Sequence, residues 1–150
     1  MHSLMLLVGA GQGTQEEIEG ILAPYEQEDD EENINPDGRF DYFSIGGRFC
    51  DYLMVKEGCT GIKGEFPWGE DKKIKEEIEN NPRKFSVCKF GDIDWGAMRD
   101  ELPYAIFLDE EWYTEDDGWD LDWSEVFKEL LKGIDPDIMV AIIDYHYIGA

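Results

Sequence analysis

The sequence predicts a single α+β domain built on a mixed or antiparallel sheet, with helices mainly on one face and the two terminal strands at the centre. Its 150 residues are 42% hydrophobic and 13% aromatic, which is enough for one packed core. Continuous apolar runs lie near both ends of the chain, at 4–8 and 138–143. Runs of this length are typical of strands buried on both faces. Between them, strand-like and helix-like segments follow one another without an internal repeat, which favours an α+β architecture.

The N-terminal half begins with the first of these strands, followed by a glycine-rich turn and a helix. Thr14 and Glu17 form the capping-box pattern that begins many helices, and Pro24 ends this one. Residues 26–38 are predicted to form an acidic loop, because carboxylates at this density cannot pack together. Four glycines and a proline within 58–69 predict a second, glycine-rich loop.

The other predicted elements follow from apolar spacing, glycines and prolines. They are strands over 52–56, 85–90, 104–108 and 138–145, helices over 72–80 and 95–102, and a hairpin strand at 112–113. One further helix begins at Asp122, which is placed to cap it, with Glu125 at the third position. This helix ends before Gly133, where the left-handed backbone that closes many helices suits glycine.

Net charge is the most informative property of the composition. Thirty-six Asp and Glu residues oppose 13 Lys and Arg residues, so the formal charge is −23. A chain this acidic repels nucleic acid, which excludes direct nucleic-acid binding. The charge is most concentrated over 109–125, where nine acids occur without a base and four Trp and Tyr residues lie between them.

Two interpretations of this acidic segment are open. Either it is a solvated surface that keeps the protein in solution, or it is a docking face that imitates duplex phosphates for a basic protein. Partly exposed Trp and Tyr side chains would then anchor the partner. The residues predicted to contact such a partner are Asp109, Glu110, Glu111, Trp112, Glu115, Asp116, Asp117, Trp119, Asp120 and Asp122.

The sequence predicts no cofactor, no metal site and no catalytic residue, and it favours a protein that is not an enzyme. Glycines at 9, 11 and 13 resemble a phosphate-binding loop, but their spacing and the acids that follow favour a plain strand-to-helix turn. Oxygen-bearing side chains over 33–44 resemble a calcium loop, yet Ser44 stands where a bidentate Glu is required. The three cysteines lack a Cys-x-x-Cys pair and are predicted to be free thiols.

Localisation is predicted from two features of the chain. No apolar run approaches the roughly 18 residues of a membrane span. The first residues carry no basic region ahead of their apolar run, which argues against a signal peptide. The expectation is therefore a cytoplasmic protein without a membrane partner.

Residues 35–49 are the most distinctive stretch, reading Asn-Pro-Asp-Gly-Arg-Phe-Asp-Tyr-Phe-Ser-Ile-Gly-Gly-Arg-Phe. This stretch resembles a motif of uncharacterised phage and prophage proteins, usually Asn-Pro-x-x-Lys-Trp-Asp-Trp-Tyr-x-Ile-Gly-Gly-Arg-Trp. The tryptophans of that motif are replaced here by Phe40, Tyr42 and Phe49. The Asp-x-His ending of that family is matched at 144–146.

The resemblance carries over no activity, but it implies an origin in a mobile genetic element. The leading hypothesis is therefore a non-enzymatic, acidic inhibitor that blocks a basic nucleic-acid-handling protein of the host, such as a CRISPR effector or another defence nuclease. One alternative is an accessory phage protein without activity of its own. Another is a small-molecule or nucleotide site, or a minor enzyme, built on Gly46, Gly47, Arg48 and His146. Within that turn, a scaffolding role for Arg48 is favoured over anion recognition.

Overall fold

The structure, a computed structural model, describes residues 2–27, 35–66, 71–99 and 101–147. Its strands are β1 (His2–Val8), β2 (Tyr42–Ile45), β3 (Val87–Lys89), β4 (Ala105–Leu108), β5 (Glu111–Thr114) and β6 (Met139–His146). Its α-helices are α1 (Gln15–Leu22), α2 (Lys72–Asn80) and α3 (Trp123–Leu131). No helix in the described ranges is long and apolar enough to cross a bilayer. These elements confirm the predicted α+β class.

The strands form one mixed sheet in which the terminal strands lie at the centre, as predicted. The strand order is β2-β6-β1-β4-β5, and β3 also pairs with β6. Among the described strands, β1 and β4 are the one parallel pair. β6 pairs with β1 over seven residue pairs and shares its other edge between β2 and β3.

Both faces of the sheet are covered, so the expectation that the helices lie mainly on one face is wrong. Leu4 and Leu6 of β1 belong to a core that includes α3. The alternate residues Met5 and Leu7 pack with α1 on the opposite face. β1 and β6 are buried at nearly every position, and side chains alternate between faces along a strand. Leaving either face uncovered would cost about 25 cal/mol for each Å² of apolar surface exposed.

Two short segments differ from their predictions. Residues 52–56 do not form a strand, and Val55 makes an isolated bridge to Ile93. The apolar side chains of this segment pack in the core instead, which explains why the pattern resembles a buried strand. Of the described residues in the predicted helix over 95–102, Trp95–Ala97 form a single 3-10 turn, and the next residue is extended.

The predicted glycine-rich loop over 58–69 is described as far as residue 66, and it lies along the edge of the sheet. Ile62 bridges Val87 of β3. The Lys63 ammonium donates to two carbonyls at the C-terminal end of α2, both at 2.7 Å, where helical carbonyls lack intrahelical partners. The loop therefore joins α2 to the sheet. Of the predicted acidic loop over 26–38, residues 28–34 lie outside the described ranges.

At the Gly46-Gly47 turn the chain turns away from β6. β2 therefore pairs with one part of the outer edge of β6, and β3 pairs with the adjoining part. The N–H of Gly46 donates to the carbonyl of Ile142, and the N–H of Ile142 donates to the carbonyl of Ser86, both at 2.8 Å. The two glycines have left-handed φ angles of +84° and +51°, which residues with a Cβ rarely adopt. A Cβ on Gly47 would also lie 2.6 Å from Oδ2 of Asp144. Backbone geometry and packing therefore both require glycine at 47.

Gly47→Ala is expected to lower the free energy of unfolding by about 3 kcal/mol, through the left-handed backbone and the crowding at Asp144. Gly58→Ala is the matched control, because its φ is +86° but no atom beyond its chain neighbours lies within 4 Å of a Cβ placed there. It should lose only the backbone contribution of about 1–2 kcal/mol. Urea denaturation followed by circular dichroism measures both losses. Equal losses would contradict the crowding at Asp144.

Candidate functional site

β4 and β5 form a hairpin whose turn carries the first group of acids. The turn consists of Asp109 and Glu110, which have φ angles of +52° and +66°. Two-residue hairpin turns of this kind require positive φ angles, and they usually contain asparagine followed by glycine. A glutamate in the left-handed region costs about 1 kcal/mol or more relative to glycine. The hairpin therefore carries two carboxylates at its tip despite backbone strain.

The loop after β5 carries the second group of acids, and hydrogen bonds to neighbouring strands fix its shape. Asp117 accepts hydrogen bonds from the backbone N–H and the hydroxyl of Thr114, both at 2.8 Å. The indole of Trp119 donates to the carbonyl of Thr114 at 2.6 Å. Asp116 accepts from the hydroxyl of Tyr104 at 2.8 Å. These bonds also occupy backbone groups of β5, an edge strand to which another strand could otherwise pair.

The exposed acids of the hairpin turn, of β5 and of the following loop are together called the acidic surface. They are Asp109, Glu110, Glu111, Glu115, Asp116, Asp117, Asp120 and Asp122. Among the described residues, none of the eight lies within 4.0 Å of a Lys, Arg or His nitrogen, whereas six acids elsewhere do. The charge of the acidic surface is therefore not neutralised by ion pairs with these residues.

The aromatic side chains of this region do not all reach the surface. Trp112 is 7% exposed and packs edge-on against Phe107 and Tyr145 in the core on the α1 face. Its indole is therefore largely buried, whereas the prediction of a partner contact called for a partly exposed side chain. Trp119 is 36% exposed, as predicted for an anchor, and Leu121 is 56% exposed. The exposure of Leu121 was not predicted, because an isolated leucine in an acidic loop carries no periodic signal.

The pKa values of two tyrosines beside the acidic surface are raised by burial and by nearby carboxylates. Burial raises the pKa of Tyr25, and the charge of Glu110 raises it further. Burial also raises the pKa of Tyr104, and the hydrogen bond to Asp116 adds to the effect. Phenolates are disfavoured near carboxylates because like charges repel. Both tyrosines therefore act as neutral donors, and Tyr25 donates to the carbonyl of Glu110 at 3.1 Å.

A second polar cluster lies at one end of the sheet, where His2 of β1, His146 of β6 and Tyr42 of β2 are neighbours in register. The carboxylate of Asp144 accepts hydrogen bonds from Nδ1 of His2 at 2.7 Å and from the backbone N–H of Arg48 at 2.9 Å. The other ring nitrogen of His2, Nε2, is hydrogen-bonded to the hydroxyl of Tyr42, with 3.2 Å between the two atoms. Asp144 is 4% exposed, and its two donors offset the cost of its burial.

His146 is held by Asp41, with 2.6 Å between Nδ1 and Oδ1. Its ring stacks on Tyr42 with 4.8 Å between centroids, and its centroid lies 5.0 Å from that of His2. Burial opposes ionisation of Asp41, but the hydrogen bond and charge of His146 outweigh it, so the pKa of Asp41 lies below its usual value. Histidines oriented in this way can act as bases. Within the described ranges, however, no Ser, Thr or Cys is hydrogen-bonded to either ring.

The turn at 46–48 contributes to this histidine cluster through its backbone. Gly47 leaves room for Asp144, and the N–H of Arg48 binds that carboxylate. The Arg48 side chain instead lines a separate cavity of about 170 Å³, together with Lys75 and Arg99. Of the residues predicted for this site, His146 is therefore the one whose side chain enters the cluster.

The other members of the histidine cluster were not predicted from the sequence. They are His2, Asp41, Tyr42 and Asp144. The two-residue spacing of Asp144 and His146 on a strand is a signal that places both side chains on one face. No local signal indicates that His2 joins them, because that contact depends on the register between β1 and β6.

The glycine-rich turn before α1 is occupied by a side chain of the protein itself. Glu17 accepts hydrogen bonds from the backbone N–H of Gln12 at 3.0 Å and from the hydroxyl of Thr14 at 3.1 Å. The N–H of Glu17 donates to the Thr14 hydroxyl at 3.2 Å, which confirms the predicted helix start. A carboxylate thus stands at the helix N-terminus, where a phosphate would otherwise bind.

Neither the residues of the calcium-like loop nor the cysteines form a metal site among the described residues. Residues 33 and 34 lie outside the described ranges, Asn35 donates to two backbone carbonyls, and Asp41 binds His146. Burial, reinforced by the charge of Asp92, raises the pKa of the Cys88 thiol to about 12, which makes it unreactive. In the part of the chain that the structure describes, no group of three His, Cys, Asp or Glu side chains has the arrangement of a metal site.

Comparisons with known proteins find no match, so a function has to be inferred from the geometry of the structure. No protein-family model matches this chain. Searches of curated proteins and of solved structures also return no match. The resemblance of residues 35–49 to phage and prophage proteins therefore stays a prediction.

Asp41→Asn is expected to remove a pH-dependent contribution to stability. The folded-state pKa of Asp41 lies below its unfolded value of about 3.9, so the carboxylate stabilises the fold above that pH. This stabilisation is lost as the pH falls through the folded-state pKa. The variant should lose about 1 kcal/mol near neutral pH and should show a shallower fall in stability below about pH 4.

Urea unfolding across this acidic range measures both effects. Glu57→Gln is the control, because Glu57 is exposed and its side chain makes no hydrogen bond with the described residues. Identical pH profiles for wild type and Asp41→Asn would show that the bond to His146 contributes nothing to the folded state.

Proposed function

We propose that this protein binds and blocks a basic, nucleic-acid-handling protein through the acidic surface, as a nucleic-acid mimic. The observation that carries the proposal is a set of eight exposed carboxylates, none paired with a described base, on a hairpin and a loop fixed by hydrogen bonds. Such a surface attracts positive charge over about a Debye length, roughly 8 Å at physiological salt. A nucleic-acid channel carries the complementary charge.

The number of charges on the acidic surface equals that of a short stretch of duplex. Of its eight carboxylates, two lie in the hairpin turn, one lies on β5 and five lie in the loop after β5. A duplex carries about eight phosphate charges over about 14 Å, at one per about 1.7 Å. A channel lined for phosphates would therefore meet as many negative charges as such a stretch of duplex presents.

Two apolar side chains within the acidic surface supply contacts that charge alone lacks. Trp119 and Leu121 are 36% and 56% exposed. Exposed tryptophans often contribute a large share of the binding energy at a protein interface. The hydrogen bond to Thr114 orients the Trp119 indole before binding, so less conformational entropy is lost on association.

Backbone strain at the hairpin turn supports a role beyond solubility. Glycine at position 110 would adopt the left-handed φ of +66° without strain, yet the residue there is glutamate. Strained residues are concentrated at functional sites, where the function of the side chain compensates for the lost stability. A merely solubilising charge could stand at an unstrained surface position.

The resemblance of residues 35–49 to phage and prophage proteins supports the choice of target. A phage protein in the host cytoplasm encounters host nucleases, including CRISPR effectors and other defence enzymes. We therefore infer an anti-defence inhibitor that acts there without catalysis, without a cofactor and without binding nucleic acid directly. The alternative of a ligand site on Gly46 and Gly47 is less favoured, because packing against Ser86 and Asp144 already accounts for both glycines.

Charge reversal by Glu111→Lys, Glu115→Lys and Asp120→Lys together is expected to abolish partner binding and leave the fold intact. These three side chains are exposed and make no hydrogen bond with the described residues, unlike Asp116 and Asp117. The matched control reverses three exposed acids outside the acidic surface, with the same change of charge. It consists of Glu57→Lys, Glu76→Lys and Glu77→Lys.

The measurement is retention of proteins from a bacterial lysate on the immobilised protein, with elution by duplex DNA or by NaCl. The wild type and the control should retain a basic protein that DNA displaces and that salt releases, and the acidic-surface variant should not. A mobility-shift assay then tests whether the wild type prevents that protein from binding DNA. Retention by the acidic-surface variant, or the lack of any DNA-displaceable protein, would refute the proposal.

Glu110→Gly is expected to raise the free energy of unfolding by about 1 kcal/mol and to weaken partner binding. Glycine relieves the left-handed backbone, while one carboxylate of the acidic surface is lost. Glu111→Gln is the control, because it removes a neighbouring charge without changing the turn. Urea denaturation and the retention assay measure the two effects. A less stable Glu110→Gly variant would show that the turn is not strained.

A further inference from the structure

An apolar cavity of about 510 Å³ lies between α3 and the segment that precedes β4. Its walls include Trp95, Met98 and Leu102 from that segment, and Phe127 and Leu131 from α3. It shares no lining residue with the acidic surface or with the histidine cluster. Cavities of about 300–1,000 Å³ with mostly apolar walls are typical of small-molecule sites.

The described lining of this cavity contains three cations and no acid. The cations are Arg99, Lys128 and Lys132. They are all of the Lys and Arg residues in the stretch 91–150, which contains 17 Asp and Glu residues. The charged side chains that line the cavity are therefore all positive, whereas negative side chains predominate in the rest of the C-terminal portion.

The charged residues in and just after α3 are separated by sign. Lys128, in the last turn of α3, and Lys132, the residue that follows its end, both border the cavity, while Glu125 and Glu129 do not. A lysine in the last turn of a helix also suits its dipole. Arg99 lies outside the helix, however, so the dipole does not explain why it borders the same cavity.

Lys128 is the cation that remains available to a ligand. Arg99 is paired with Asp51, and Lys132 is paired with Glu129 at 2.6 Å. The Lys128 ammonium makes no ion pair or hydrogen bond with the described residues. An anionic group at the mouth of the cavity would therefore find an uncompensated positive charge next to an apolar wall.

Contacts within the protein hold the walls of the cavity in place. The hydroxyl of Tyr52 donates to the carbonyl of Glu101 at 2.7 Å. The ring of Trp95 packs edge-on against Phe90 and Phe127, with centroids 6.3 Å and 6.0 Å apart. A cavity that exists before binding costs little reorganisation when a ligand enters.

We propose that this cavity binds an amphipathic carboxylate, with the hydrocarbon body against Met98 and Leu131 and the carboxylate at Lys128. A protein of charge −23 attracts cationic amphiphiles and repels anionic ones over most of its surface. Selectivity for the anion would therefore come from the local charges at the rim. Nonspecific adsorption would favour the cationic amphiphile, so a preference for the anionic one distinguishes binding in the cavity from adsorption.

The experiment compares decanoate, decanol and decyltrimethylammonium, each below its micelle concentration, by NMR of ¹³C-methyl methionine. The chain has five methionines, and Met98 lines the cavity. Decanoate should shift the Met98 methyl resonance and bind about tenfold more tightly than the cationic amphiphile. Lys128→Ala should weaken decanoate binding about fivefold or more and leave decanol binding unchanged, whereas Lys128→Arg should preserve the preference.

Lys89→Ala is the control for the loss of an exposed lysine elsewhere, and it should bind decanoate as the wild type does. The acidic-surface variant should also bind decanoate normally, so this test is independent of the proposed inhibition. The proposal is overturned if the Met98 methyl does not respond to decanoate, if the cationic amphiphile binds as tightly, or if Lys128→Ala binds decanoate like the wild type.

Discussion

The antiparallel pairing of β1 with β6 is the interaction on which the rest of the structure depends. Its seven residue pairs join the two ends of the chain and bury apolar side chains on both faces of the sheet. Because β6 has a second edge, β2 and β3 both pair with it, and the Gly46-Gly47 turn makes the exchange between them possible. The histidine cluster follows from the same pairing, since the register sets His2 opposite His146.

Charge is distributed unevenly over the C-terminal portion of this protein, residues 91–150. Acids without basic partners among the described residues occupy the β4–β5 hairpin and the loop after it, while the bases of the C-terminal portion border one apolar cavity. Among the carboxylates that the structure describes, Asp144 is the buried one, and two hydrogen-bond donors balance its desolvation.

The acidic surface lies along the outer strand of the sheet, β5. β5 is the outer strand, and an outer strand can pair with other chains. Asp117 and Trp119 bind the backbone and hydroxyl of Thr114, which hinders such pairing and gives the loop its shape. A partner therefore meets side chains at this edge, and the proposed recognition depends on carboxylates and one indole rather than on an added strand.

The sequence by itself determined the elements with strong local signals and the position of the densest charge. The long apolar runs predicted β1 and β6, the capping pattern at Thr14 predicted α1, and the acids over 109–125 are exposed as expected. These signals lie within a few residues of one another, so they can be read without knowing the fold.

Only the tertiary structure decided the burial of Trp112, the division of helices between two faces and the assembly of the histidine cluster. Each depends on contacts between residues far apart in the chain, which strand order and register determine. The same apolar pattern over 52–56 fits a strand or an irregular core segment. Its backbone hydrogen bonds decide between them, because they join it to residues 83, 85, 92 and 94 rather than to a strand of the sheet. Local sequence sets the preferred secondary structure of a segment, whereas the tertiary fold determines which residues that segment contacts.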